Sequence, residues 1–212
     1  MSKLSSDWTS AGLRAARVLA ALGAAAWMSG CAPLLVGGAA VGGALVATDR
    51  RTSGTQVEDQ AIEVKAATRV REVLGERGHV NLTSYNRTLL ITGEVPSEAE
   101  RQSVERAIAG VENLRSVVNE LGVLGNSSLT SRSSDAITTS KVKATFVDAK
   151  DLQSNAIKVV TERGTVYLMG RVTEREAVRA ADLARNIGGV EKVVRVFEIL
   201  TEAELANLQT AR

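Results

Sequence analysis

The feature that most constrains this chain is an internal repeat. Thr88-Leu89-Leu90-Ile91-Thr92-Gly93-Glu94-Val95 aligns with Thr165-Val166-Tyr167-Leu168-Met169-Gly170-Arg171-Val172 at an offset of 77 residues. Further on, Gly110-Val111-Glu112 aligns with Gly189-Val190-Glu191 at an offset of 79, and Val117 and Leu121 then fall on Val196 and Leu200. The second copy therefore holds two extra residues between these anchors, at an end of the intervening helix. Self-similarity at a fixed period means one supersecondary unit used twice. In a chain of 212 residues this gives two small units in place of one large domain.

Both copies carry the same order of elements. A helix is predicted first, over 58–75 and 134–147. A short alternating strand follows, with Val80 and Leu82, or Ile157 and Val159, on one face. Tyr85-Asn86-Arg87 and Glu162-Arg163-Gly164 read as turns. In the second strand Leu89, Ile91 and Val95, or Val166, Leu168 and Val172, point one way. Gly93 and Gly170 lie mid-face, where a bare backbone would let a helix approach. The second helix is predicted over 97–109 and 174–187, with Glu98, or Glu174 and Glu176, in the first turn where the helix dipole favours negative charge. Gly110 or Gly188-Gly189 stops it, and a Val-rich third strand closes the unit. The fold class is α+β: two tandem units of helix-strand-strand-helix-strand, each with two helices packed on a three-stranded sheet. Gly125 to Ser128 and Ser131 to Ser134 read as the linker between them.

Composition excludes several classes of function. Aromatic residues make up only 3%, so the cores are aliphatic. One cysteine, Cys31, and one histidine, His79, leave no intramolecular disulfide and little material for a metal site or a Cys–His nucleophile pair; no cofactor, metal site or catalytic set is expected. His79 reads as a surface or strand-edge residue, and the acidic residues as solvated helix faces and loops. No P-loop or G-x-G-x-x-G is present. Residues 31–212 hold 23 basic and 23 acidic side chains, which argues against nucleic-acid binding. The charge is unevenly divided: a net −3 over 58–124 and a net +2 over 134–200. The two halves should respond differently to an anionic surface.

The N-terminus reads as a processing segment. Basic residues end at Arg14 and Arg17, Val18 to Met28 is an uncharged apolar run, and small residues precede Cys31. Met28-Ser29-Gly30-Cys31 resembles a lipobox, with Met where Leu is usual. That resemblance implies cleavage before Cys31, a diacylglycerol on its sulfur and an acyl chain on its amine. The uncharged stretch Val18 to Thr48 would also suffice for a transmembrane anchor, but Pro33 and the glycines at 37, 38, 42 and 43 make a poor continuous helix. Ala32, where enterobacterial lipoproteins held at the inner membrane carry Asp, resembles an outer-membrane address. Leu34 to Val46 reads either as a glycine-spaced helix against lipid or as an apolar linker. Thr48 to Gln56 then releases the chain into water.

The repeat unit, with G-x-V after its second strand and G-V before its third, resembles the BON domain. Two such units behind a lipobox are similar to the dual-BON outer-membrane lipoproteins, as are the linker Thr48 to Gln56 and the run Val172-Thr173-Glu174-Arg175-Glu176-Ala177. The resemblance implies binding of anionic phospholipid, phosphatidylglycerol or cardiolipin, through the first helix of the second unit. Family members read D-x-W-I-T-T-K-V there. This chain reads Asp135-Ala136-Ile137-Thr138-Thr139-Ser140-Lys141-Val142, with Ile137 at the Trp position. From periodicity, Thr138, Val142 and Phe146 face the sheet, while Ile137, Lys141 and Ala144 form a neighbouring stripe with Lys143 and Lys150 close by. Ile137 is either an interface residue among phosphate-binding amines or the edge of the core.

These readings divide the chain into a signal peptide (1–30), a lipidated tether (31–57), BON domain 1 (58–127), BON domain 2 (132–202) and a C-terminal tail (203–212). The function expected is non-enzymatic: a lipid-anchored protein on the periplasmic face of the outer membrane that binds anionic phospholipid and supports envelope integrity and division sites. The competing reading is a periplasmic adaptor or chaperone-like module with envelope or division proteins as partners. Cys31→Ala should abolish incorporation of a fatty-acid analogue in metabolic labelling; equal labelling of the variant would rule out the lipoprotein assignment.

Overall fold

The computed structural model describes residues 49–210. The expected signal peptide, the lipobox-like run with Cys31 and the glycine-rich stretch lie outside the described residues. No helix among the described residues is long and apolar enough to cross a membrane.

The first repeat runs α1 (Ser53–Leu74), β1 (His79–Tyr85), β2 (Thr88–Val95), α2 (Glu98–Ala109), β3 (Ser116–Asn119) and β4 (Gly122–Val123). The second runs α3 (Leu129–Asp148), a 3₁₀ turn at Ser154–Ala156, β5 (Ile157–Glu162), β6 (Thr165–Thr173), α4 (Glu174–Arg185) and β7 (Lys192–Leu200), followed by α5 (Glu202–Thr210). In each sheet the hairpin pairs antiparallel and the third strand lies parallel to the central one. Such a parallel return needs a crossover, which α2 and α4 provide. The third strand of the first repeat is split: Leu121 turns into the core between β3 and β4. β7 instead pairs without interruption along β6.

One face of each sheet carries its helices. Leu89, Ile91 and Val95 pack with Ile62, Ala66 and Val104 in the first repeat. Val166, Leu168 and Val172 pack with Val142, Phe146 and Ala180 in the second. The opposite faces meet each other. Tyr85 and Leu90 pack against Tyr167 and Met169, with Val118, Val160, Val194 and Val196 around them. β2 is thus covered on both sides, which explains why it reads as a near-continuous apolar run. Burial raises the Tyr85 and Tyr167 phenols to about 12.

Several boundaries differ from the sequence reading. α1 begins at Ser53, capped by the Thr52 hydroxyl, five residues before the expected start. The expected end of the tether is therefore part of the folded body. Arg50 is buried and forms a bidentate pair with Glu176, Nη1–Oε2 and Nη2–Oε1 both 2.7 Å. Its Nη1 also donates to the Arg171 carbonyl at 2.8 Å. α3 starts at Leu129, so half of the predicted linker is helix; Ser128 caps it. α4 stops at Arg185, where Asn186 caps it, ahead of the glycines. The expected tail is helical over Glu202–Thr210. Gly93 and Gly170 are required by strand geometry and not by a helix: a Cβ would strike the carbonyl oxygen of His79 or Ala156 on the neighbouring chain segment.

Glu176 closes the capping box of α4, accepting from the Thr173 backbone N–H at 3.0 Å while holding Arg50. Burial pushes its carboxyl up, but Arg50 and the Thr173 N–H outweigh this and hold it below the usual carboxylate range. A depressed folded value stabilises the fold above the unfolded carboxyl value, about 4.3, and that stability is lost as pH falls through the folded value. Glu176→Gln should therefore lower the unfolding midpoint at pH 7, costing about 3 kcal/mol as a broken buried pair. The gap to the parent should narrow on acidification to pH 3. Thermal melts across this range check it, and a gap that widens as pH falls would refute the assignment.

Candidate lipid-facing surface

Two aspartates at matched positions fix where each first helix sits. The hairpin turns place two residues at positive φ, Asn86 (49°) and Arg87 (66°) in one repeat, Arg163 (49°) and Gly164 (69°) in the other. Consecutive positive φ values define the tight turn that suits strand twist, but they cost energy for non-glycine residues. Asp59 of α1 accepts from the backbone N–H groups of Asn86 and Arg87 at 2.8 and 2.7 Å, and from the Ser84 hydroxyl at 2.7 Å. Asp135 of α3 accepts from the N–H groups of Arg163 and Gly164 at 2.8 and 2.9 Å. Each carboxylate bridges helix to turn. Sequence reasoning placed Asp135 only as a helix start; the signal it offered was its alignment with Asp59 ahead of matching turns.

With Asp135 turned inward, the rest of α3 is oriented. Asp135, Thr138, Val142 and Phe146 are buried, as the periodicity predicted for the last three. Ile137 is 57% exposed and so lies outside the core. Lys141, Lys143 and Ala144 are exposed on the same helix, and Lys150 is exposed in the turn beyond it. No ion pair engages the three lysines among the described residues. Two further apolar side chains join Ile137: Leu129 is 79% and Val147 is 69% exposed. At about 3.6 residues per turn, Leu129, Ile137, Ala144 and Val147 share one outer arc, with Lys141 on one flank and Lys143 on the other. Leu129 was missed because the helix was expected to start at 134, and Val147 because the stripe was not followed to its last turn.

The segment leading into the fold lies beside this helix. Asp49, Arg51, Tyr85, Lys143, Val147 and Lys158 line a cleft of about 330 Å³. Arg51 pairs with Asp49 and Asp59, and its guanidinium sits 4.1 Å from the Tyr85 ring centroid.

Buried carboxylates are more frequent than the sequence implied: Asp59, Glu94, Asp135, Glu162 and Glu176 are all inside. His79 opens the edge strand β1 and faces Glu94. Among the described residues, His79, Glu94 and Glu162 bring potential metal-ligand atoms within 4.8 Å of one another.

Two α-β-β-α-β units of this topology, one bearing a cation-flanked apolar helix, define a tandem BON architecture, and the BON domain family model matches residues 62–125 and 134–201. The chain belongs to the BON-domain family. It is 40% identical over 182 residues to outer membrane lipoprotein DolP of Haemophilus influenzae, covering 84% of this chain and 93% of that protein. It is 31% identical to a 21 kDa hemolysin of Actinobacillus pleuropneumoniae over 70% of this chain and 78% of the relative. It is 28% identical to osmotically-inducible protein Y of Escherichia coli over 66% and 72%.

The inward and outward faces of α3 should separate on substitution. Asp135→Ala removes the acceptor for two backbone donors and should lower unfolding stability by about 2 kcal/mol. Ile137→Asp alters an exposed site and should cost less than about 0.5 kcal/mol. Urea unfolding of both variants measures this, and a large loss for Ile137→Asp would place that residue in the core after all.

Proposed function

We propose that the protein is a non-catalytic outer-membrane lipoprotein, anchored through acylated Cys31 on the periplasmic face, that binds anionic phospholipid through the outer arc of α3. Support of envelope integrity and of division sites, as the family resemblance implies, is part of this reading. The observation that carries it is the arc itself: Leu129, Ile137, Ala144 and Val147 exposed together, flanked by lysines that form no ion pair among the described residues. Apolar side chains with adjoining amines suit the boundary between acyl chains and phosphates. Each lysine near an anionic surface contributes about 1 kcal/mol, and burying an aliphatic side chain contributes roughly 1.5–3 kcal/mol. Such binding is weak in isolation. The anchor makes it effective by holding the helix close to lipid. Asp49 lies eighteen positions after Cys31, an extended reach of about 60 Å at most, and Asp49 shares a cleft with Lys143.

The net charge supports selectivity for anionic lipid. The second repeat carries +2 and the first −3, so the molecule should turn its second repeat to an anionic surface. Flotation of residues 49–212 with liposomes tests this. Vesicles rich in phosphatidylglycerol or cardiolipin should capture the fragment, and phosphatidylcholine vesicles should not. Ile137→Asp should abolish capture. Lys141→Glu should weaken it several-fold at low salt, with the difference from the parent shrinking as salt rises. Undiminished capture of Ile137→Asp would remove α3 as the lipid face and favour a protein-adaptor role.

A further inference from the structure

The boundary between the repeats holds a second candidate site, distinct from α3. Glu94 comes from β2 of the first repeat and is fully buried; Glu162 ends β5 of the second and is 5% exposed. Their carboxylates and the His79 imidazole place ligand atoms within 4.8 Å of one another. Two carboxylates this close, out of water, demand compensating positive charge, because buried charges are paired or bind metals. Arg163 is the cation beside Glu94, and its Nε lies 3.6 Å from Glu94 Oε1, beyond hydrogen-bonding distance. Glu94 Oε1 and Arg163 Nε are both buried without a hydrogen-bond partner. Among the described residues, Arg163 is thus the one permanently charged cation paired with these two carboxylates, with His79 beside Glu94, and one carboxylate oxygen is left without a hydrogen bond.

The remaining contacts orient the trio. Glu94 Oε2 accepts from the Ser127 backbone N–H at 3.2 Å and lies 3.3 Å from His79 Nδ1. Glu162 Oε2 accepts from Asn81 Nδ2 at 2.7 Å and from the Thr92 hydroxyl at 3.4 Å. Donors behind a carboxylate are what hold metal ligands in place.

We infer that His79, Glu94 and Glu162 form a zinc site that ties the two repeats together. One imidazole and two carboxylates suit Zn²⁺, leaving a fourth position for water; calcium and magnesium favour all-oxygen sets. The ion would satisfy Glu94 Oε1 and balance the surplus negative charge. His79 is partly exposed, which gives the ion access. One cysteine and one histidine offered little material for a metal site in the sequence; here the other proposed ligands are carboxylates, brought together only by the contact between repeats.

The test uses the untagged full-length protein in detergent, stripped with a chelator and dialysed against micromolar zinc chloride with millimolar magnesium. Metal content is then read by mass spectrometry. The parent should retain one zinc per chain and gain thermal stability with zinc. His79→Ala and Glu162→Gln, each confirmed as folded by circular dichroism, should bind at least tenfold more weakly and show no thermal gain. No zinc retained by the parent, or retention by either variant equal to the parent, overturns the proposal.

Discussion

The grip of an aspartate on a hairpin turn organises each half of this protein. The turns need two successive residues at positive φ, and three of the four residues involved are not glycine. A strong acceptor for the exposed N–H groups stabilises such a turn. Asp59 and Asp135 supply it from the first helix, which ties the helix axis and rotation to the strands. Once rotation is set, the spacing of Thr138, Val142 and Phe146 decides what lies inside. What lies outside follows without further choice. The surface proposed to meet lipid is therefore a product of core geometry: the carboxylate that braces the turn also turns Ile137 and Lys141 to solvent.

The back-to-back meeting of the sheets gives the second constraint. A three-stranded sheet with helices on one face leaves the other face apolar, and each repeat uses the other to cover it. Tyr85, Leu90, Tyr167 and Met169 form this shared layer. Around it run polar contacts that cross between repeats, among them Asn86 and Arg115 to Glu198, Lys158 to Glu63 and Tyr85 to the Ala156 carbonyl. The helices lie on the outer faces of the pair. That places α3 on the periphery, where it is open to a flat partner such as a bilayer.

Much of this was legible in the sequence. The duplication, the element order and the helix-facing residues of both central strands follow from alternation and spacing, because local periodicity records which side of an element is buried. The stripe containing Ile137 was legible for the same reason. Pairings between distant residues were not. Arg50 reads as one more polar residue in a linker, and nothing local shows that Glu176, 126 residues away, completes it. Glu94 and Glu162 look like ordinary strand-end charges until the two sheets are placed face to face. Gly93 was correctly marked as a site that excludes a side chain, but the neighbour responsible is a strand carbonyl, which a one-dimensional pattern does not distinguish from a helix.

The clamp at Arg50 has a mechanical consequence. The residue precedes the first repeat in the chain, yet it grips the second, through Glu176 at the head of α4 and the Arg171 carbonyl at the end of β6. Load entering at Asp49 and Arg50 thus reaches the second repeat through the Arg50–Glu176 pair as well as the first through Arg51, Asp59 and α1. The two repeats are loaded in parallel and not in series, so a pull from the N-terminal side does not peel them apart one after the other. Separating the repeats from that side therefore requires breaking the buried Arg50–Glu176 pair.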